Sequence, residues 1–179
     1  MSAIRRIIAG VSGSPRSLPA LRYAATLARD HDAVLIPLLT WVPPGGALAD
    51  CRYPSKYLHR EWERVAWQRL DGAICAAFGG MLDEVQTEPV VACGEPGWML
   101  VHAAGRPGDL LVIGTGRRGW LGRRLAGGAV SRYCLAQASC PVLAVPPSAL
   151  DLQARHGLRG WAFRHRGLTL RDLTVPAGK

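Results

Sequence analysis

The chain has 179 residues, of which 49% are hydrophobic and 20% charged. This is globular rather than disordered composition, enough for one domain with a real core and a short appendage. No apolar run approaches the roughly 20 residues of a membrane span, and no signal-peptide pattern precedes the first strand, so a cytosolic protein is expected. Lys+Arg number 22 against Asp+Glu 13, a formal charge of +9, and the only lysines are Lys56 and Lys179. The arginine excess suits phosphate and also follows from a GC-rich genome. It permits nucleic-acid binding without establishing it. The five cysteines are odd in number and form no CxxC pair, which argues against a disulfide framework or a zinc site.

Residues 4–11 (IRRIIAGV) read as a buried strand ending in a Ser-Gly-Ser-Pro turn. A helix follows with Ser17 as its N-cap and Pro19 in its first turn, where the missing N–H does no harm. Leu18, Leu21, Ala24, Ala25 and Ala28 form its apolar face, and Asp30, His31 and Asp32 end it. Residues 33–42 are the second strand, broken by Pro43, Pro44, Gly45 and Gly46 and followed by a loop to about Pro54. Residues 55–79 read as a long helix with Leu58, Trp62, Val65, Ala66, Leu70, Ala73 and Ala77 on one side. Residues 85–92 are the third strand, in which Pro89 marks an edge or a bulge.

Gly94, Glu95 and Pro96 open a short helix through Ala104, with Pro96 at its first position. Residues 109–113 (DLLVI) are the fourth strand, and Gly114 opens a glycine- and arginine-rich loop. Val130, Tyr133, Cys134 and Ala138 mark the next helix, and residues 140–145 (CPVLAV) are the fifth strand. The alternation predicts an α/β domain with a parallel sheet and helices on both faces. It ends at Pro146-Pro147. Residues 148–179, with six basic and two acidic side chains and no long periodic segment, read as a basic C-terminal extension.

Ligands of open parallel sheets bind beyond the carboxyl ends of the strands, where the strand order reverses. Two loops leave such ends: Ser12-Gly13-Ser14-Pro15, and GTGRRGWLGRRLAGGAVS over residues 114–131. The second has six glycines, four arginines and no acid. Its glycines let backbone N–H groups approach an anion, and the following helix N-terminus adds positive potential. It is an anion cradle suited to phosphate, or, more plainly, a tight strand-to-helix crossover. The Walker pattern is absent, and the GxGxxG match at residues 114–119 falls after the fourth strand rather than the first. No Ser/His/Asp constellation suggests a triad. Trp62, Trp67 and Trp98 read as core residues, and Cys134 and Cys140 as packing rather than redox groups.

The segments IIAGVSGSPRSLPALRYA, GEPGWMLVHAA, DLLVIGTG and AVSRYCLAQASCPVLAVPP resemble the universal stress protein family, in order and at its spacing over about residues 3–147. The resemblance implies a doubly wound five-stranded sheet of order 3-2-1-4-5, like that of adenine nucleotide alpha hydrolases, usually dimeric. Many members bind ATP through Gly-x2-Gly-x9-Gly-[Ser/Thr]. Here Gly114 matches the first glycine, Arg117 stands where the second falls, and Gly127 or Gly128 serves as the third, with Gly128 or Ala129 in place of the hydroxyl. Ser12 stands where ATP-binding members carry Asp.

The ligand expected from the resemblance is ATP or another adenine nucleotide, bound with reduced affinity. Val11, Ser12 and Ser14 would lie on one side. Gly114, Arg117, Gly127, Gly128, Ala129, Val130 and Ser131 would lie on the other, with Ser131 capping the helix, and Thr40 and Trp41 would line the base pocket. No catalytic residue or metal ligand is assigned, so any hydrolysis is expected to be slow and incidental. The apolar fifth strand, an edge in this order, is the expected homodimer contact.

Two other readings remain open. Residues 12–17 (SGSPRS) echo the SGGxDS loop of PP-loop ATP pyrophosphatases, with Ser14 and Arg16 departing from it. Alternatively the chain is a dimeric interaction module whose basic segments, 117–132 and 155–171, hold an acidic partner or RNA.

Overall fold

The computed structural model describes residues 3–52, 54–79, 85–115 and 129–147. The basic extension and most of the glycine-rich loop lie outside them. β1 (Arg6–Val11), β2 (Val34–Trp41), β3 (Val90–Cys93), β4 (Asp109–Gly114) and β5 (Val142–Val145) form one parallel sheet of order β3-β2-β1-β4-β5. This is the order expected. The helices are α1 (Leu18–His31), α2 (Gly46–Arg52), α3 (Lys56–Phe78), α4 (Pro96–Ala103) and α5 (Ala129–Gln137).

The period of two along the strands sorts the core into two layers. Ile7, Ala9 and Val11 of β1, with Leu35, Leu39, Leu110 and Val112, meet Leu21, Ala24 and Ala28 of α1 and Ala66, Leu70 and Ala73 of α3. Ile8, Ile36, Leu38, Leu111 and Ile113 face the other way, with Leu100 of α4 and Cys134 of α5. Fully burying a side chain such as Leu21, Leu70 or Leu111 contributes about 1.5–3 kcal/mol. The central strands are therefore covered on both faces, which is why β1 and β4 read as continuous apolar runs.

At the bottom of the sheet, Arg6 and Asp109 face each other in register on β1 and β4. The Arg6 guanidinium donates to both carboxylate oxygens, at 2.8 Å from Nε and 2.7 Å from Nη2, and to the Ala103 carbonyl at 3.0 Å. The Arg106 N–H adds a bond to Asp109 Oδ2 at 2.8 Å. Burial alone would raise the Asp109 carboxyl. The Arg6 and Arg106 hydrogen bonds outweigh it and hold the group below the ordinary carboxylate value.

Several elements differ from the sequence reading. β1 starts at Arg6, because the N–H groups of Arg5 and Arg6 are both directed at the Gly108 carbonyl. The segment after Pro44, read as loop, contains α2. β3 is shortened: Thr87 makes one isolated bridge to Leu35, and the ladder resumes only at Leu38↔Val90. The common register puts Pro37 opposite Pro89, so the gap falls where both prolines lack a donor. A 3-10 turn, Pro15–Ser17, precedes α1, and the Ser17 hydroxyl donates to the Ser14 carbonyl at 2.8 Å rather than accepting from a helix N–H. Ser55, by contrast, does cap α3, accepting from the Leu58 N–H at 3.4 Å.

Trp67 and Trp98 are 37% and 54% exposed and so are not core residues, and Leu58 is exposed too. No helix among the described residues is long and apolar enough to cross a membrane.

Candidate functional site

All five strands run the same way, so the loops after β1, β2 and β4 emerge on one side of the sheet. The chain reverses direction of winding between β1 and β4, and the crevice of such folds opens above that pair. Val11 ends β1 and is buried. Beyond it Gly13 takes φ +68°, the left-handed region that glycine enters at no steric cost. This turn brings the hydroxyls of Ser12 and Ser14 to 2.8 Å from each other. Ser14 also accepts, through its carbonyl, from the Ser17 N–H at 3.0 Å and the Ser17 hydroxyl. The loop is thus tied down by Ser17, which is buried.

The β4 side closes tightly on this loop. A Cβ built on Gly114 would lie 3.4 Å from the Arg16 carbonyl oxygen and 3.8 Å from Ala20 Cβ. The end of β4 thus packs beside the 3-10 turn, with room at Gly114 for a Cβ at ordinary contact distance. Thr115 fastens the next residue to β5: its N–H and its hydroxyl both donate to the Val145 carbonyl, at 2.8 and 3.2 Å.

Ser131 lies inside the first turn of α5 rather than ahead of it, and its hydroxyl donates to the Gly114 carbonyl at 3.3 Å. The helix that follows the glycine-rich loop is thereby anchored to the strand that precedes it. Ala129 and Val130 open α5, with Val130 half-buried against the Ile8 and Leu111 layer. Arg117, Gly127 and Gly128 lie outside the described residues.

Thr40 and Trp41 end β2, paired in register with Ala92 and Cys93. The Trp41 ring is held by two rings of α3: His59 edge-on at 5.6 Å and Trp62 at 6.0 Å between centroids. His59 in turn contacts Asp50 of α2, Nε2 to Oδ1 at 2.6 Å. Val11, Ser12, Ser14, Gly114, Ala129, Val130 and Ser131 are thus grouped around the ends of β1 and β4, while Thr40 and Trp41 stand at the neighbouring end of β2.

Two contributors were not singled out in the sequence. One is Arg16, whose backbone carbonyl receives Gly114. The other is Arg69 of α3: a Cβ on Gly13 would lie 3.3 Å from Arg69 Cβ and 3.7 Å from its Cδ. Nothing in the local pattern signals Arg69, because its nearness to Gly13 depends on how α3 packs beside α1. Cys93 is an exposed residue whose thiol is raised above its ordinary value by partial desolvation and by the nearby carboxylates of Asp50 and Glu63, which disfavours the thiolate. Among the described residues no group of His, Cys, Asp and Glu is arranged to hold a metal ion.

The family model for the universal stress protein family matches residues 3–146. A universal stress protein solved in complex with cAMP is 25% identical, with 82% of this chain and 100% of that chain covered and a TM-score of 0.52. A hypothetical protein solved as a test case of structural genomics superposes with a TM-score of 0.64 at 16% identity, over 82% of this chain and 98% of that one. The universal stress protein UspA of Lactobacillus plantarum is 19% identical, with 81% and 99% covered and a TM-score of 0.51. No curated protein matches the chain.

Proposed function

The chain belongs to the universal stress protein family, and from that premise we propose that it is a non-catalytic, cytosolic regulatory protein that binds an adenine nucleotide in the crevice between β1 and β4. The observation that carries this is the closure of Gly114 onto the Arg16 carbonyl beside the paired hydroxyls of Ser12 and Ser14. At the point where the sheet reverses, the Ser12–Ser14 turn offers hydroxyl groups and carries no carboxylate of its own. The relative solved with cAMP, similar along nearly the whole domain, supports an adenine nucleotide as the ligand class. The glycines and arginines at 114–128 supply N–H groups and positive charge for the phosphate. Thr40 and Trp41 border the base.

Ser12 offers a hydroxyl where ATP-binding members carry a carboxylate, and the loop hydroxyl is displaced. Each lost charged hydrogen bond costs about 1.5–3 kcal/mol, so affinity is lower than in relatives with the full motif. Among the described residues no side chain is assigned as a nucleophile or base, so turnover of ATP is taken to be slow and incidental. The protein acts as a homodimer through β5, and residues 148–179 are an extension outside the nucleotide-binding domain. Mass spectrometry of small molecules released on denaturing the purified protein tests the reading. An adenine nucleotide in near-stoichiometric amount supports it, and a preparation that carries none and gains none after incubation with millimolar AMP, cAMP or ATP contradicts it.

A further inference from the structure

We infer that Arg69, on α3, is a phosphate-contacting residue of this site, reaching it beside Gly13. The inference rests on the nucleotide reading above and adds to it a residue and a position. The stem of Arg69 lies along Gly13, with Cβ and Cδ at 3.3 and 3.7 Å from where a side chain there would begin. Only a residue without a Cβ lets the two meet so closely, and Gly13 already occupies a backbone region that favours glycine. The guanidinium lies just beyond Cδ, on an exposed residue at the edge of the Ser12–Ser14 turn.

The charge of Arg69 is not used elsewhere among the described residues, where it makes no hydrogen bond or ion pair. Its helical neighbours at the i±3 and i±4 positions are Val65, Ala66, Gly72 and Ala73, none of which carries charge. Arg64, one face round on the same helix, shows the ordinary alternative: it is paired with Glu61 at 2.8 Å.

The turn beside Arg69 is equally devoid of acid, since the first acidic residue of the chain is Asp30. Ser12 and Ser14 share one hydroxyl proton between them, which leaves the other hydroxyl able to donate outward. An arginine and a pair of serine hydroxyls beside a glycine turn are residue types that suit a phosphomonoester.

Calorimetric titration with AMP and with adenosine, on wild type, Arg69→Gln and Arg69→Lys, tests this, with a thermal melt of each variant as a check on folding. AMP affinity is expected to fall about ten- to a hundredfold in R69Q, to recover in part in R69K, and adenosine affinity to be unchanged. Equal AMP affinity in wild type and R69Q overturns the role of Arg69 and leaves the nucleotide reading intact. An equal loss for AMP and adenosine also overturns it, because the residue then acts on the fold and not on the phosphate. If wild type binds neither compound at millimolar concentration, the nucleotide reading fails and takes this inference with it.

Discussion

The hydroxyl of Ser131 donates to the carbonyl oxygen of Gly114 at 3.3 Å, so the two ends of the glycine-rich loop are fastened to each other. The bond joins the first turn of α5 to the last residue of β4, and Gly114 itself rests on the Arg16 carbonyl. The spacing between the end of β4 and the start of α5 is thereby held fixed. Replacing Ser131 by Ala removes one partly buried hydrogen bond, with an expected stability loss of about 0.5–1.5 kcal/mol. Nucleotide affinity should fall by a comparable factor. Denaturant melts and titrations of Ser131→Ala read both quantities, and an unchanged affinity would show that the fastening does not serve the site.

Gly114 separates two sizes of substitution. A single Cβ there meets the Arg16 carbonyl and Ala20 at ordinary contact distances, so Gly114→Ala should fold with a stability change under about 1 kcal/mol. The branched methyls of valine would extend beyond that Cβ toward the 3-10 turn. Gly114→Val should cost about 1–3 kcal/mol and separate β4 from the β1 loop. Chemical denaturation of the two variants checks the order, and equal stability would mean that the close approach is not required.

The Arg6–Asp109 pair sets the acid limit. Because its partners hold the Asp109 carboxyl below its unfolded value, the folded state favours the ionised form. The resulting stability is fully present above pH of about 4, the ordinary carboxylate range, and is lost as pH falls through the lower folded value. Asp109→Asn should flatten this part of the pH–stability curve. Asp109→Ala should cost about 1–3 kcal/mol at neutral pH, since it leaves the half-buried Arg6 guanidinium without its carboxylate. Urea melts between pH 3 and 7 measure both effects. An unaltered acid limb in Asp109→Asn would assign acid unfolding to other groups.

Much of this fold is legible in the chain itself. The apolar runs of β1 and β4, the alanine-rich face of α1 and the proline–glycine punctuation fix the order of elements, and the family-like segments fix how the strands are arranged. The region that escapes reading lies where tertiary contacts override local signals. α2 hides behind Pro43, Pro44, Gly45 and Gly46, which read as a loop. Trp67 and Trp98 read as core by residue type but fall on solvent-facing positions, and Trp98 instead stacks on His102 at 5.0 Å. In the site, the glycines and serines announce themselves by composition. Arg69 reaches Gly13 only through the packing of α3, and the Arg16 contribution is a backbone carbonyl that no side-chain motif encodes.

The proposed homodimer rests on β5. Residues Val142–Val145 are wholly apolar and pair with β4 along one edge, and among the described residues nothing pairs with the other edge. Light scattering at micromolar concentration should give the mass of a dimer, and Ala144→Arg should give a monomer. A monomeric wild-type protein would remove β5 as an interface.

Isothermal titration of AMP and ATP into protein first stripped of bound small molecules tests nucleotide binding itself. One nucleotide site per chain is expected, with a dissociation constant in about the micromolar to submillimolar range and with affinity reduced in Gly114→Val. The absence of binding heat at millimolar nucleotide, or full affinity in Gly114→Val, would contradict a nucleotide site between β1 and β4.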